Sequence, residues 1–375
     1  MKIGFDAKRI VRNHTGLGSY SRTLVNALAA LDTDDELLLY APDEGDPQLR
    51  RQIEPRHNVR FVYPSRPLPF GGKLGMAARW REKTIVEQLK ADGIELYHGL
   101  SGELPAGLKE SGIRSIVTIH DLIFLRHPEY YHWWDTLLYR QKFLRTLKEA
   151  DRIVAISECT KRDILHYGHF PEDRIDIIYQ SCSTRFAHPA DEHISQRVHA
   201  EYDLPAHYIL SVGTIEERKN ILLAVKALRH LPADLSLVVL GRPTKYLDKV
   251  RRYIAEQQLD HRVRFLHGVP NDALPAIYQM AAAFVYPSRY EGFGIPIIEA
   301  IQSGLPVVAA KGSCLEEAGG PASLYVDPDD DRALAEALLT ALAESDSRVA
   351  ASRDYVRRFE NSDVARQMMD EYRLL

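Results

Sequence analysis

Cysteine is scarce in this chain. Its 375 residues hold three, Cys159, Cys182 and Cys314. So few, odd in number and widely spaced, they support neither a disulfide framework nor a metal cluster. Buried free thiols in a reducing compartment are the reading. The histidines at 188, 193 and 199 also lack ligand spacing, and no metal is assigned to them. No apolar run approaches the roughly 18 residues of a membrane span. Charge appears at Lys2 and Asp6, too early for a secretory leader, so a cytoplasmic protein is expected. An excess of one charge is missing as well: 48 basic residues face 52 acidic ones, a formal −4. Bulk charge therefore argues against nucleic acid as a partner. No internal repeat or low-complexity tract is evident.

What is present is ordinary for a soluble globular protein, at 45% apolar and 27% charged residues. The length favours two domains. Strand-like runs at Lys2 to Ala7, Leu37 to Tyr40, Val59 to Tyr63, Leu96 to His98, Ser115 to Ile119, Arg152 to Ile156 and Ile175 to Tyr179 alternate with helical stretches. That rhythm predicts an α/β fold with a parallel, doubly wound sheet. From Ser183 to Leu204 the chain turns polar, and it restarts at Tyr208-Ile209-Leu210-Ser211-Val212-Gly213. The expected division is a first Rossmann-like domain over 1–185, a linker with a short helix over 186–205, a second such domain over 206–350, and a terminal helical segment over 351–375. Val364, Met368, Tyr372 and Leu375 recur at helical spacing in that tail.

The most informative stretch runs from Tyr286 to Ala300. The apolar run Ala281 to Val285 reads as a buried strand, and Ile295 to Gln302 as a short helix with Pro296 in its first turn. A strand, a glycine-bearing turn and a helix start gather backbone N–H groups at one point, which favours an anion or a ring of hydroxyls. Glu291 lies in the turn. Glu299 lies eight residues on, about two helical turns further. The pair can address two ends of one elongated ligand; two solvated glutamates on a plain strand-to-helix turn are the blander alternative. A second cluster, Gly213-Thr214-Ile215-Glu216-Glu217-Arg218-Lys219-Asn220, sets two cations before a helix start and reads as a phosphate site. A third, Thr15-Gly16-Leu17-Gly18-Ser19-Tyr20, forms the first βα turn, where Gly16 and Gly18 let a ligand approach the backbone. Ser21 stands where a dinucleotide fingerprint would place a third glycine.

Tyr286-Pro287-Ser288-Arg289-Tyr290-Glu291-Gly292-Phe293-Gly294-Ile295-Pro296-Ile297-Ile298-Glu299-Ala300 resembles the E-x7-E signature of retaining GT-B glycosyltransferases of the family 4 type, the glycosyl transferases group 1. The Gly213 to Asn220 run resembles the same family's "GT-x-E-x-RKN" pattern, and the likeness extends over nearly the whole chain. It implies two Rossmann-like domains facing across a cleft, with the terminal helix crossing back onto the first. Glu291 and the amides of Gly292, Phe293, Gly294 and Ile295 would contact the donor sugar, and Glu299 the ribose. Gly213, Arg218 and Lys219 would hold the diphosphate. Arg242 would cover the nucleobase and the backbone at Val269 would read its edge. Gly16 and Gly18 would face the diphosphate or the acceptor. His120, followed by Asp121 at a strand end, resembles the family's "HD" beside the donor sugar; Ser157 and Glu158 resemble its "V-S-E" strand end. Where the family usually has proline, this chain has Glu316.

The resemblance implies a hexose moved from a nucleotide sugar, GDP-mannose before a UDP-sugar, to a glycan or lipid-linked oligosaccharide. No separate cofactor is expected. No Asp-x-Asp is read at a strand end, which agrees with metal-free departure of the diphosphate. Residues 60–83 are locally basic, with Arg60, Arg66, Lys73, Arg79, Arg81 and Lys83 against Glu82. They read as a solvated loop and helix, or as a contact with an anionic membrane surface, at its inner face, or with a lipid-linked acceptor. The aromatics Tyr131, His132, Trp133, Trp134 and Tyr139 read as core or, where exposed, as a stacking surface for an acceptor sugar. Three rivals belong to other classes: a sugar-nucleotide epimerase or phosphorylase of the same fold, a nicotinamide-dependent oxidoreductase, and a two-lobed solute-binding protein.

Overall fold

The computed structural model describes residues 1–31, 34–65 and 75–375. Arg66 and Lys73 of the basic segment lie outside the described residues. The chain forms two compact units, Met1–Ser181 with Phe359–Leu375, and Cys182–Arg358. Residues 186–205 fall within the second unit, and their central part is the helix Glu192–Glu201, capped by the Asp191 carboxylate.

The first unit is built on β1 (Lys2–Asp6), β2 (Glu36–Tyr40), β3 (Val59–Val62), β4 (Leu96–Gly99), β5 (Arg114–Ile119), β6 (Arg152–Ala155) and β7 (Ile175–Ile177). They form one parallel sheet in the order β3-β2-β1-β4-β5-β6-β7. The second is built on β8 (Tyr208–Val212), β9 (Ser236–Leu240), β10 (Val263–Leu266), β11 (Ala283–Tyr286), β12 (Val307–Ala310) and β13 (Leu324–Val326). Their order is β10-β9-β8-β11-β12-β13, again parallel. In each sheet the first strand is central and the chain reverses direction of travel beside it. That makes a switch point between β1 and β4, and another between β8 and β11, where ligands of open α/β sheets bind.

The strands are nearly continuous apolar runs because helices cover both faces of each sheet. Ile3, Phe5, Leu37 and Leu39 pack on one face of the first sheet with the last helix, Asn361–Leu374. That helix buries Val364, Met368 and Tyr372, one per turn, against the Gly16–Ala29 helix and belongs to the first unit. β13 escaped the sequence reading. It is three residues long and closed off by Ser323 and Asp327, whereas the equally short β7 runs on into Ile178 and Tyr179. Its presence corrects a second reading, since Asp327-Pro328-Asp329 now follows a strand. Those carboxylates are already engaged: Asp327 faces Lys311 at 3.5 Å, and Asp329 pairs with Arg289. Among the described residues no three His, Cys, Asp or Glu side chains gather as a metal would need. Nor is any described helix long and apolar enough to cross a membrane.

Candidate active site

In the second unit the loops that follow β8 and β11 meet, because those strands are neighbours in the sheet. The loop after β8 ends in a short 3-10 turn, Glu217–Lys219, which turns both cations toward the loop after β11. The Arg289 amide donates to the Arg218 carbonyl at 2.9 Å and ties the two loops together. Arg218 Nη1 then lies 2.9 Å from one oxygen of Glu291, and Lys219 Nζ 2.5 Å from the other. Arg218 also donates to the Tyr290 carbonyl and to Glu216, each at 2.6 Å. Lys219 donates to the Tyr286 hydroxyl and sits over its ring, while its aliphatic stem lies 3.5 Å from where a side chain on Gly213 would begin. Ser288 Oγ donates to Glu291 as well.

All three charged groups are largely buried, which is tolerable only because they are paired. Burial alone would raise the Glu291 pKa. Lys219 and Arg218 together outweigh it and hold the carboxyl at about 2. Burial likewise pulls on Arg218, and Glu291 with Glu216 overcomes it and raises its pKa. Glu291 is therefore an anion at any physiological pH and has no proton to give. A carboxyl of pKa near 2 is also a weak base. It supplies fixed negative charge.

Gly294 caps the Ile295–Gln302 helix with φ 135°, a backbone conformation that residues with side chains avoid. A β-carbon there would also stand 3.2 Å from Leu315 and 3.3 Å from Ala318. Underneath, the Cys314 thiol lies 3.0 Å from the Glu291 carbonyl and 2.9 Å from that of Phe293. In a planar trans peptide the following N–H points opposite to its carbonyl. The thiol thus orients the Glu291–Gly292 and Phe293–Gly294 peptides, and with them the Gly292 and Gly294 N–H groups. Glu299, in the helix itself, accepts from the Tyr278 hydroxyl at 2.8 Å. Burial raises its pKa, offset in part by Tyr278 and Arg185. Arg242 is exposed after β9, and Val269 is half-buried after β10. The Arg242 carbonyl accepts from the Ile215 amide at 2.9 Å, and neither side chain is hydrogen-bonded or ion-paired to Arg218, Lys219 or Glu291.

The first unit places the remaining residues. His120 follows β5; its Nε2 lies 2.8 Å from the Leu100 carbonyl, and its Nδ1 2.9 Å from the Gln180 amide. A carbonyl only accepts, so Nε2 carries the proton and Nδ1 accepts from Gln180. Burial lowers the His120 pKa to about 4. Its ring meets Tyr20 edge-on, and Tyr20 shares Thr118 Oγ1 with His98. His98 is fully buried, bonds Tyr372 of the last helix at 2.6 Å, and is held neutral by burial, with a pKa of about 3. Gly16 is exposed at the start of the helix that carries Tyr20. Gly18 differs from the expectation. Its N–H already bonds Thr15 and Asn13, and a β-carbon would stand 2.0 Å from the Asn13 carbonyl. Close packing inside the turn demands this glycine. Ser157 caps the Glu158–Gly168 helix by accepting from the Thr160 amide.

Ser288, Tyr286, Cys314, Gln180 and His98 were not singled out as functional from the sequence. Ser288 lies inside the signature, three residues before Glu291, and that spacing was a usable signal. Tyr286 opens the same stretch; Cys314, Gln180 and His98 are known only by their neighbours.

The two histidines predict an acid-sensitive fold. Unfolded, each takes a proton near pH 6.5; folded, His120 resists to about 4 and His98 to about 3. A folded pKa below the unfolded one means stability is complete above pH 6.5 and lost as pH falls through the window. The slope is about 1.4 kcal/mol per pH unit for each histidine. Thermal unfolding between pH 7 and 4.5 should show a falling midpoint. A flat profile there would refute the neutral assignments.

The chain as a whole has counterparts among known proteins. The family described as Glycosyl transferases group 1 matches residues 195–357, and Glycosyltransferase Family 4 matches residues 14–185. The chain is 30% identical, over an aligned 389 residues, to the O-antigen chain mannosyltransferase B of Escherichia coli, with 100% of both chains covered. It is 26% identical over 256 residues to the O-antigen chain mannosyltransferase RfbU of Salmonella typhimurium, with 68% of each covered. The structure of Anabaena HepE in complex with UDP-glucose is similar in fold, with a TM-score of 0.74, 17% identity and 100% of each chain covered.

Proposed function

The chain belongs to the GT-B glycosyltransferases of group 1 and family 4, and we propose that it moves mannose from GDP-mannose to a glycan acceptor, with retention and without a metal. That it is a hexosyltransferase follows from the family. The choice of mannose is supported by the names of the two O-antigen relatives. HepE was solved with UDP-glucose, so a UDP-sugar is the second donor to test.

The observation that carries the reading is the cluster where the loops after β8 and β11 meet. The donor is assigned along the carboxyl edge of the second sheet. Its base would lie by Arg242 and Val269, beyond β9 and β10. Its diphosphate would lie at Gly213, Arg218 and Lys219, after β8. Its sugar would lie at Glu291 and the backbone of Gly292, Phe293, Gly294 and Ile295, after β11. Glu299 is assigned the ribose. As the bond from the anomeric carbon to phosphate breaks, negative charge grows on the diphosphate beside the two cations, which stabilises the transition state. The acceptor oxygen bonds to the same face, and its proton passes to the departing phosphate. Glu291, ionised and paired, is suited to stabilise positive charge on the sugar. His120 is assigned a place at the donor sugar as a neutral ring of fixed tautomer, and Gly16 a place at the acceptor or diphosphate.

The test is release of GDP from GDP-mannose, followed with and without a mannose-terminated oligosaccharide. GDP should appear only with acceptor, the new linkage should keep the donor's anomeric configuration, and EDTA should leave the rate unchanged. A rate that vanishes with EDTA and returns with Mg²⁺ or Mn²⁺ would overturn the metal-free assignment. Inverted product would overturn retention.

A further inference from the structure

Most large apolar side chains of the described residues are buried, yet one helix of the first unit breaks the pattern. In Trp133–Glu149, Trp133 is 61% exposed, Trp134 59%, Leu137 40% and Leu138 49%. The helix meets the core through Phe143, Thr146 and Leu147. At 3.6 residues per turn, Trp134, Leu137, Leu138, Gln141, Arg145 and Lys148 then fall on the opposite side. The outward face is thus apolar over its first two turns and cationic over its last two. The helix carries Arg140, Lys142, Arg145 and Lys148 against Asp135 and Glu149, in a chain whose formal charge is −4. The 75–84 segment lies alongside, since Glu82 pairs with Lys142 at 3.2 Å and Arg145 at 3.6 Å. It adds Arg79 and Lys83, both exposed.

We propose that this face docks on an anionic phospholipid bilayer, with Trp133, Trp134, Leu137 and Leu138 entering the interface and the cations meeting headgroups. Tryptophan beside aliphatic and basic side chains is the composition that lies in a bilayer interface. Two other occupants fit less well. A sugar stacks on an aromatic face, and Trp133 and Trp134 each give one face to the other, centroids 3.9 Å apart and planes 25° apart. Leu137 and Leu138 offer no aromatic face at all. A second copy in a two-fold contact would set the patch against itself and bring like charges together. The docking is independent of which sugar is transferred, so it stands or falls apart from the donor assignment.

The chain has three tryptophans, and Trp80 is buried, so a change in emission on adding vesicles or iodide reports on Trp133 and Trp134. Vesicles of phosphatidylglycerol with phosphatidylcholine, added to the full chain, should shift emission to the blue and protect it from iodide. Pure phosphatidylcholine should do so weakly, and added salt should weaken the effect because it screens the cations. The triple variant Trp133→Ser, Trp134→Ser, Leu138→Ser should sediment with the anionic vesicles at least about tenfold less, since each side chain loses apolar burial. It should keep the circular dichroism and thermal midpoint of the wild type, which shows that the fold of the first unit is kept. Arg140→Glu with Lys148→Glu, which leaves the tryptophans in place, should lose the preference for phosphatidylglycerol. No emission change with anionic vesicles would overturn the proposal. So would a blue shift produced by free oligosaccharide, or a dimer that forms without lipid and disappears in the triple variant.

Discussion

Glu291→Gln is expected to lower turnover and stability together while leaving nucleoside-diphosphate binding intact or tighter. The carboxylate neutralises Arg218 at 2.9 Å and Lys219 at 2.5 Å. An amide of the same shape cannot. Removing one partner of a buried ion pair costs about 3–5 kcal/mol, because the other is left charged in a poor solvent. The loss should fall near the lower end, since Arg218 keeps Glu216 and Lys219 keeps the Tyr286 hydroxyl. GDP should restore much of it, because a diphosphate brings the missing negative charge. Turnover should fall by roughly 2–4 kcal/mol in barrier, the range for a fixed charge aimed at a transition state. The pH profile carries its own signature. With a folded pKa of about 2, Glu291 contributes stability that is complete above its unfolded value and lost as pH falls toward 2. That window overlaps the lower end of the one set by His98 and His120 and extends below it, and the variant should lack the Glu291 contribution. Steady-state kinetics and thermal unfolding, with and without GDP, decide the matter. A variant that turns over at the wild-type rate with only KM altered would make Glu291 a binding residue.

Lys219→Ala and Arg218→Ala should each weaken GDP binding while barely touching guanosine. A charge-assisted hydrogen bond is worth about 1.5–3 kcal/mol, or roughly 10- to 150-fold in affinity. The two should differ in a second respect. Lys219 touches Glu291 and Tyr286, so its loss leaves the Arg218–Glu291 pair standing. Arg218 reaches Glu291, Glu216 and the Tyr290 carbonyl at once, and so holds the β11 loop. Its loss should also cost stability. Arg218→Lys should not rescue it, because an ammonium lacks the planar fork that spans three acceptors. Calorimetry with GDP and guanosine makes the comparison. Equal GDP affinity across wild type and both alanine variants would remove the cations from the phosphate site.

All seven strands of the first unit, with β8 and β11 of the second, have counterparts among the runs read from sequence, because a parallel strand covered on both faces is a continuous apolar run. β13 was missed. Missing it also hid that Asp327-Pro328-Asp329 ends a strand. The segment 186–205 read as a linker with a short helix because it is polar, and Asp191 starts a helix there that buries Val198. The site was legible as a set of types: two cations before a helix, two carboxylates framing Gly292, Phe293 and Gly294. Its internal pairing was not. Arg218 and Glu291 are 73 positions apart in the sequence. They meet only because β8 neighbours β11 instead of β10.

By itself the sequence determined whatever depends on residues close along the chain: the strand-turn-helix units, the glycine at 294 and the family signature. Those are local consequences of backbone sterics and side-chain period. Tertiary structure alone decided what depends on neighbours from afar. It set Glu291 between two cations and so kept it ionised. It enclosed His98 and His120 and so kept them neutral. It turned Trp133 and Trp134 outward, although their spacing equally suits a core stripe. The physical reason is common to all of these: burial and ionisation are properties of surroundings, and the surroundings are assembled by the order of strands in the sheet.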